Sequence, residues 1–303
     1  MATVAYLGPA GTFSEAAVRR LGDVDALPAR SIPEALDLVR DGAVDSALVP
    51  LENSLEGSVP VTLDNLLSGP PLRIVGEVVL PVSFALTARV PLDEVRTVAS
   101  HPHALAQCRA FLRAKLPHAT TVEVLSTAAA ARAVAEGTVD AGICAPIAAT
   151  TLGLPLAAED IGDRPDTATR FVQVVTGAPG PAPTGNDVTS LAVYIAHDRV
   201  GALLSVLTEL AVRGVNLTRI ESRPTGERLG RYVFLLDCAG HVAEPRVGEA
   251  LLGLRRVCAE IRFLGSYPRD VDDAPVPAPA GMSDADLLAS EAWLSGLRGM
   301  FQA

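Results

Sequence analysis

The sequence predicts an α/β protein with two lobes around a cleft, followed by a smaller ferredoxin-like βαββαβ domain. Three observations carry this reading. Short β-prone runs alternate with helical patterns through the first half of the chain, in two successive sets. A Pro- and Gly-rich linker covers 178–186, and a second Pro-rich segment covers 274–280. Between these linkers six elements follow in the order strand, helix, strand, strand, helix, strand.

The bulk numbers agree. A chain of 303 residues suits two domains, each long enough to bury a core. With 49% hydrophobic and 20% charged residues it is globular in composition. Its net charge of −10 argues against nucleic acid or an anionic membrane as partner, while a local donor cluster could still hold an anionic substrate. Cys108, Cys144, Cys238 and Cys258 lie far apart without a CxxC and read as buried thiols in a reducing compartment. The N-terminal residues lack the basic flank and length of a signal peptide, and no apolar run reaches the ~20 residues of a membrane span. A cytoplasmic protein is expected.

In the first set, residues 3–7 form a strand, the turn Gly8-Pro9-Ala10-Gly11 follows, and a helix starts near Ser14. Free N–H groups at such a helix start can hold an anion, with Thr12 and Ser14 adding hydroxyls; an ordinary N-cap reads equally well. The run lacks the signatures of a P-loop or a dinucleotide site. Ser31-Ile32-Pro33-Glu34 is a capping box for a helix over 34–39. A buried strand over 44–51 runs into Glu52-Asn53-Ser54, polar residues where an apolar strand ends, and a short helix covers 63–67.

The stretch 73–86 contains one long β-prone run, over 74–82. The second set then reads as strand 95–99, helix 104–116, strand 121–125, helix 128–134 and strand 141–145. A further helix lies near Ala148, before a return through 156–161. The crossing near 76–84 and the return near 156–170 join the lobes, which places Thr169-Arg170-Phe171 at the hinge. A hydroxyl beside a guanidinium at a strand entrance is either a donor pair for an anion or a strand-starting Thr with a solvated Arg. Ser100-His101-Pro102-His103 and Ser126-Thr127 each end a strand and start a helix. The His101-x-His103 pair has no Cys or carboxylate at ligand spacing, so no metal is expected; His118, His197 and His241 are isolated. Beyond the linker come strand 190–196, helix 201–213, strands 217–222 and 232–237 around a turn at 224–227, helix 247–258 and strand 261–264. The tail over 284–301 reads as an amphipathic helix using Leu287, Leu288, Trp293 and Leu297.

Taken together, Gly8-Pro-Ala-Gly-Thr-Phe-Ser-Glu15, Val49-Pro-Leu-Glu-Asn-Ser-Leu-Glu-Gly57, Ser100-His-Pro-His103, Gln107-Cys108 and Thr169-Arg-Phe171 resemble the prephenate dehydratase family. Gly201-Ala-Leu203, Gly214-Val-Asn-Leu-Thr218 and Glu221-Ser-Arg-Pro224 are similar to the ACT regulatory domain that follows it there. The resemblance covers 2–268. It implies a two-lobed, periplasmic-binding-protein-like catalytic domain over 1–177, with lobes of about 1–78 plus 165–177 and of 79–164. An ACT domain over 188–268 and a linker and tail over 269–303 would follow.

The implied activity is conversion of prephenate to phenylpyruvate with loss of CO2 and water, in phenylalanine biosynthesis. The resemblance implies no cofactor: such chemistry asks for a positioned proton donor and fixed hydrogen-bond donors. It implies Thr169 as donor to the departing hydroxyl, directly or as a relay, with Glu52 as the alternative acid. Asn53 and Gln107 are catalytic candidates. Thr12, Ser14, Ser54, Ser100, Ser126, Arg170 and Phe171 are candidates for binding substrate, although Arg170 could equally be a structural ion-pair partner. Two positions depart from the family pattern: Thr167 stands where Asn is common, and His103 where Gln is frequent.

The ACT resemblance implies feedback by L-phenylalanine through Gly201, Ala202, Leu203, Asn216, Leu217, Glu221 and Ser222, at an interface between subunits of a homodimer or homotetramer. Alternatives are an arogenate dehydratase, or a non-catalytic amino-acid-binding sensor.

Overall fold

The first apolar run forms an interior strand of a sheet because Val4, Ala5 and Tyr6 are all buried and β-prone. The architecture is that of a computed structural model describing residues 1–177, 179–195, 200–225, 231–271 and 273–300. Its contacts fall into two compact units. One holds Met1–Asn65 and Val78–Thr176, the other Leu66–Glu77 and Gly177–Ala303.

The first sheet is built from β1 (Thr3–Leu7), α1 (Phe13–Arg19), β2 (Asp25–Ala29), α2 (Ile32–Arg40), β3 (Ser46–Asn53), β4 (Gly57–Ser58), α3 (Pro60–Leu67) and β5 (Arg73–Pro81). The second lobe follows as β6 (Ala85–Ala88), β7 (Thr97–Ser100), α4 (Pro102–Gln107), α5 (Arg109–Lys115), β8 (Thr120–Glu123), α6 (Thr127–Ala135), β9 (Ala141–Cys144), α7 (Pro146–Thr151) and β10 (Leu156–Ala158). The chain then returns to the first sheet as β11 (Ala168–Val175). Strand order is β2-β1-β3-β11-β5 with β4 beside β3, and β10-β6-β9-β7-β8 in the second lobe. The α/β strands run parallel (β1 with β2 and β3, β7 with β8 and β9). The strands that cross or return run antiparallel, as β11 does to β3 and β6 to β9. The two-lobed α/β fold is therefore present.

The two crossings touch each other. Val82 N–H, leaving the first lobe, donates to Thr167 O on the return at 2.7 Å. Phe13, at the start of α1, packs into the cores of both lobes and meets Phe84 edge-on with ring centroids 5.5 Å apart.

Several elements differ from expectation. The helix expected over 104–116 is two helices, broken at Cys108 (φ −118°, ψ 20°). Asp163 causes the break: its N–H donates to Gln107 O at 2.6 Å and its carboxylate accepts Ala110 N–H at 3.1 Å. One residue thus ends α4 and caps α5. The run over 74–82 is one strand, β5, ending at Pro81, and β6 begins beyond the crossing at Ala85. β2 was not expected, because Pro28 and its mostly exposed pattern conceal an edge strand. At the start of α2, Ser31 Oγ accepts Glu34 N–H, but Glu34 reaches the N–H of Arg30, one residue earlier than a capping box requires.

In the second unit β12 (Asp187–Ile195), α8 (Ala202–Ala211), β13 (Leu217–Pro224), β14 (Tyr232–Ala239), α9 (Pro245–Val257) and β15 (Cys258–Pro268) form the βαββαβ fold, ordered β13-β14-β12-β15 and antiparallel throughout. Leu191, Val193, Leu236 and Cys238 meet Val206, Leu210, Val247 and Leu254 in its core. The expected turn over 224–227 and His197 fall partly or wholly outside the described residues. The tail forms α10 (Asp284–Gly299), opened by a capping box between Ser283 and Asp286. Residues 66–77, read from sequence as part of the first lobe, group with this unit. Arg262 donates to the carbonyls of Leu66 and Leu67, and Asp270 N–H to Glu77. Among the described residues no helix is long and apolar enough to cross a membrane, and no cluster of His, Cys, Asp or Glu could hold a metal ion.

Candidate active site

Two adjacent strands of the first sheet emerge from the core at the same end. On β3, Ser46 to Val49 are buried, while Glu52 and Asn53 are half-exposed; on β11, Phe171 and Val172 are buried, while Thr169 and Arg170 are half-exposed. The antiparallel register sets Thr169 opposite Asn53 and Arg170 opposite Glu52, then shifts so that Phe171 faces Pro50. Leu51 is the extra residue of this β-bulge. Pro50 is tolerated here because the pairing of β3 with β1 ends at Leu48.

Asn53 Nδ2 donates to Thr169 Oγ1 at 2.9 Å. The amide cannot be turned round without loss, because its Oδ1 accepts the N–H groups of Leu55 (2.9 Å) and Glu56 (3.1 Å). Thr169 Oγ1 is therefore an acceptor toward Asn53, and its own proton has no protein acceptor among the described residues. A hydroxyl held this way keeps its proton available to donate. Ser54 locks the neighbouring backbone: its N–H donates to Ala168 O (2.9 Å) and its Oγ accepts Ala168 N–H (3.0 Å). Thr167 is buried and bonds locally to Arg164 O.

The second lobe reaches this end of the sheet through α4. His103 Nδ1 lies 3.3 Å from Glu56, on the loop that Asn53 caps. His101 caps α4 through Nδ1, which accepts His103 N–H at 3.3 Å. Burial lowers the His101 pKa, helped by the neighbouring His103 and opposed by Glu123 and Glu56. Gln107 is half-buried at the end of α4, held there by the Asp163 hinge. Ser100 is fully buried and donates to Ile143 O at 2.7 Å, joining β7 to β9. Ser126 caps α6 by accepting Ala129 N–H.

The loop before α1 is shaped by Gly11 at φ +88°, where a Cβ would come 3.2 Å from Ala148 in the second lobe. Thr12 caps the helix, accepting Glu15 N–H and donating to Leu7 O. Ser14 is buried. Glu15, also buried, accepts Gly11 N–H at 2.6 Å and pairs with Arg19, so part of the loop's donor capacity is used within the protein. Beneath it the Tyr6 hydroxyl is pushed up to about 12, by burial first and by Glu15 second.

The structure thus joins Thr169, Asn53, Glu52, Arg170 and Ser54 at one strand end. It ties His103 to the same region through Glu56, leaves Gln107 at the end of α4 beside Asp163, and puts Ser100 and Ser126 to structural use. Asp163 and Glu56 escaped sequence reasoning: each acts across a long sequence separation, and neither carries a local pattern.

A family model described as "Prephenate dehydratase" matches residues 4–178, and one described as "ACT domain" matches 189–256. The chain belongs to the prephenate dehydratase family. A prephenate dehydratase of Amycolatopsis methanolica is 46% identical over 308 residues, covering 100% of both chains. The crystal structure of an Arthrobacter aurescens prephenate dehydratase in complex with L-Phe is 43% identical, with a TM-score of 0.91 over 98% of this chain and 99% of that one. GqqA, described as a novel type of quorum-quenching acylase, is 30% identical, with a TM-score of 0.81 over 88% of this chain and 98% of its own.

In the ACT domain Gly201 adopts φ +79° to start α8, with Ala202 and Leu203 in its first turn. Asn216 and Leu217 lie at the start of β13, and Glu221 and Ser222 further along it. Asn216 and Leu217 line a cavity of about 460 Å3; the α8 start and Glu221–Ser222 do not.

Proposed function

We propose that the chain catalyses the decarboxylating dehydration of prephenate to phenylpyruvate, with Thr169 as the hydrogen-bond donor to the departing ring hydroxyl. The observation that carries this is the Asn53–Thr169 bond, in which the Thr169 oxygen accepts and its proton is left to donate. In the reaction the ring C–O bond breaks as the electrons of the bond to the ring carboxylate flow into the ring. CO2 leaves, the ring becomes aromatic, and the hydroxyl takes a proton to leave as water. An alcohol is a weak acid, so Thr169 acts by a hydrogen bond that strengthens as negative charge grows on the leaving oxygen, with the proton relayed through it. Glu52, across the strand from Arg170, is the second acid candidate. In this reading Arg170 and the α1 loop are the candidates for holding the carboxylates of the dianion. Gln107 orients substrate from the opposite lobe, and closure of the lobes removes water from the reacting ring.

Fold alone does not choose the activity, because a protein described as an acylase shares it. The thiols supply no acyl nucleophile: burial pushes Cys108, Cys144 and Cys238 up to about 12, and Cys258 upward. Purified protein incubated with prephenate at neutral pH should form phenylpyruvate well above the spontaneous rate. A rate at background removes the proposal, and a parallel assay with arogenate fixes the substrate preference.

The ACT domain and the L-Phe complex of the Arthrobacter relative support L-phenylalanine as the effector. A homodimer or homotetramer in the cytoplasm is the assembly and location that this reading favours.

A further inference from the structure

Two contacts meet at Glu56, on the loop between β3 and β4. Its backbone N–H donates to Asn53 Oδ1 at 3.1 Å, and Asn53 Nδ2 in turn donates to Thr169 Oγ1 at 2.9 Å. Its side chain meets His103 of the second lobe, with Nδ1 3.3 Å from Oε1. A carboxylate is an acceptor, so Nδ1 is the donor whether the ring is charged or neutral. The pairs Glu15–Arg19, Arg30–Glu34 and Asp37–Arg40 of the first lobe join residues three or four apart in sequence. His103–Glu56 joins one lobe to the other.

The α4 backbone is fixed at both ends. His103 N–H donates to His101 Nδ1 at 3.3 Å, and Asp163 N–H donates to Gln107 O at 2.6 Å. His103 and Gln107 stand four residues apart, on one face of α4. The side of α4 that meets the Asn53 loop is therefore the side that carries Gln107. Both partners are about half exposed, His103 at 57% and Glu56 at 51%, so the pair adds little to the stability of the fold. A contact that weak makes and breaks readily, which suits lobes that open to admit substrate and close over it.

We propose that His103 and Glu56 are positioning residues for the reaction: their pair latches α4 of the second lobe to the Asn53 loop of the first and sets Gln107 at the cleft. This rests on the prephenate reading above and adds to it the device that holds the lobes together. Without the latch the closed arrangement is less populated, and substrate binding must make up the difference, which raises KM. At saturating substrate the lobes are closed in either case, so kcat is spared.

The test is a double-mutant cycle on the full-length chain with prephenate, using His103→Ala, Glu56→Gln and the two together. Each single variant should raise KM about threefold, with kcat within about twofold of the parent and the melting temperature unchanged. The double variant should also stay near threefold, because the second change removes a contact already lost. Exchanging the charges, Glu56→Lys with His103→Glu, should bring KM back toward the parent, since Glu56 bonds to Asn53 through its backbone and keeps that contact in any variant. Unchanged KM in the single variants, or a double variant whose KM rises to the product of about ninefold, overturns the latch and leaves the prephenate reading standing. A parent chain that turns over prephenate at the spontaneous rate overturns both.

Discussion

Asn53 Nδ2 donates to Thr169 Oγ1 at 2.9 Å while Asn53 Oδ1 holds the turn that follows it, so one amide holds the loop and turns the Thr169 proton away from itself. The first prediction separates these two tasks. Asn53→Asp keeps an acceptor for the Leu55 and Glu56 N–H groups but replaces the donor to Thr169 with a second acceptor, so the hydroxyl turns toward residue 53. kcat with prephenate should fall about 10²-fold, the usual scale for one positioned donor, while the melting temperature stays near that of the parent. An undiminished kcat would show that the direction of the Thr169 proton is irrelevant.

Asp163 is predicted to act on α4 and α5 together. Asp163→Ala leaves Ala110 N–H without its cap, which costs about 1 kcal/mol and lowers Tm by about 2–4 °C in a unit of this size. KM should rise as Gln107 shifts, and Asp163→Asn, which keeps an acceptor, should restore most of both. Scanning calorimetry and initial rates on the pair decide this; equal Tm and KM in parent and alanine variant would contradict it.

Stability should also depend on pH through His101. Its folded pKa lies below the unfolded value of about 6.5, chiefly because burial disfavours the charged ring. The unfolded chain therefore binds more protons as pH falls through 6.5, and stability drops until the folded pKa is passed. Protonation also removes the Nδ1 acceptor that caps α4. His101→Asn, whose side-chain oxygen can still cap, should flatten this part of the urea-unfolding profile between pH 7 and 5. An unchanged slope would assign the dependence to other groups.

Most of the fold was legible because local patterns and tertiary structure agree: the apolar runs at β1, β3, β9 and β11 became buried strands, and the six elements after the linker became the ACT sheet and its helices. The misses share one cause. Asp163 breaks a helix more than 50 residues away in sequence, and β2 is an exposed edge with a proline, so neither leaves a periodic signal. The candidate site was legible as residue types at strand ends. What sequence could not supply was the register that puts Asn53 opposite Thr169, because a one-residue slip would send those side chains to opposite faces. Nor could it show that Ser100, for all its position at a strand end, is enclosed and bonded to Ile143.

The central claim is that the Thr169 hydroxyl assists departure of the ring hydroxyl. Thr169→Val keeps the β-branched shape that suits β11 and deletes only the hydroxyl, whereas Thr169→Ser keeps the hydroxyl and deletes a methyl group. The decisive measurement is kcat for prephenate in these two variants at neutral pH. The account predicts a loss of about 10²-fold or more in Thr169→Val, with Thr169→Ser retaining most of the parental rate. A valine variant turning over within a few-fold of the parent would contradict it.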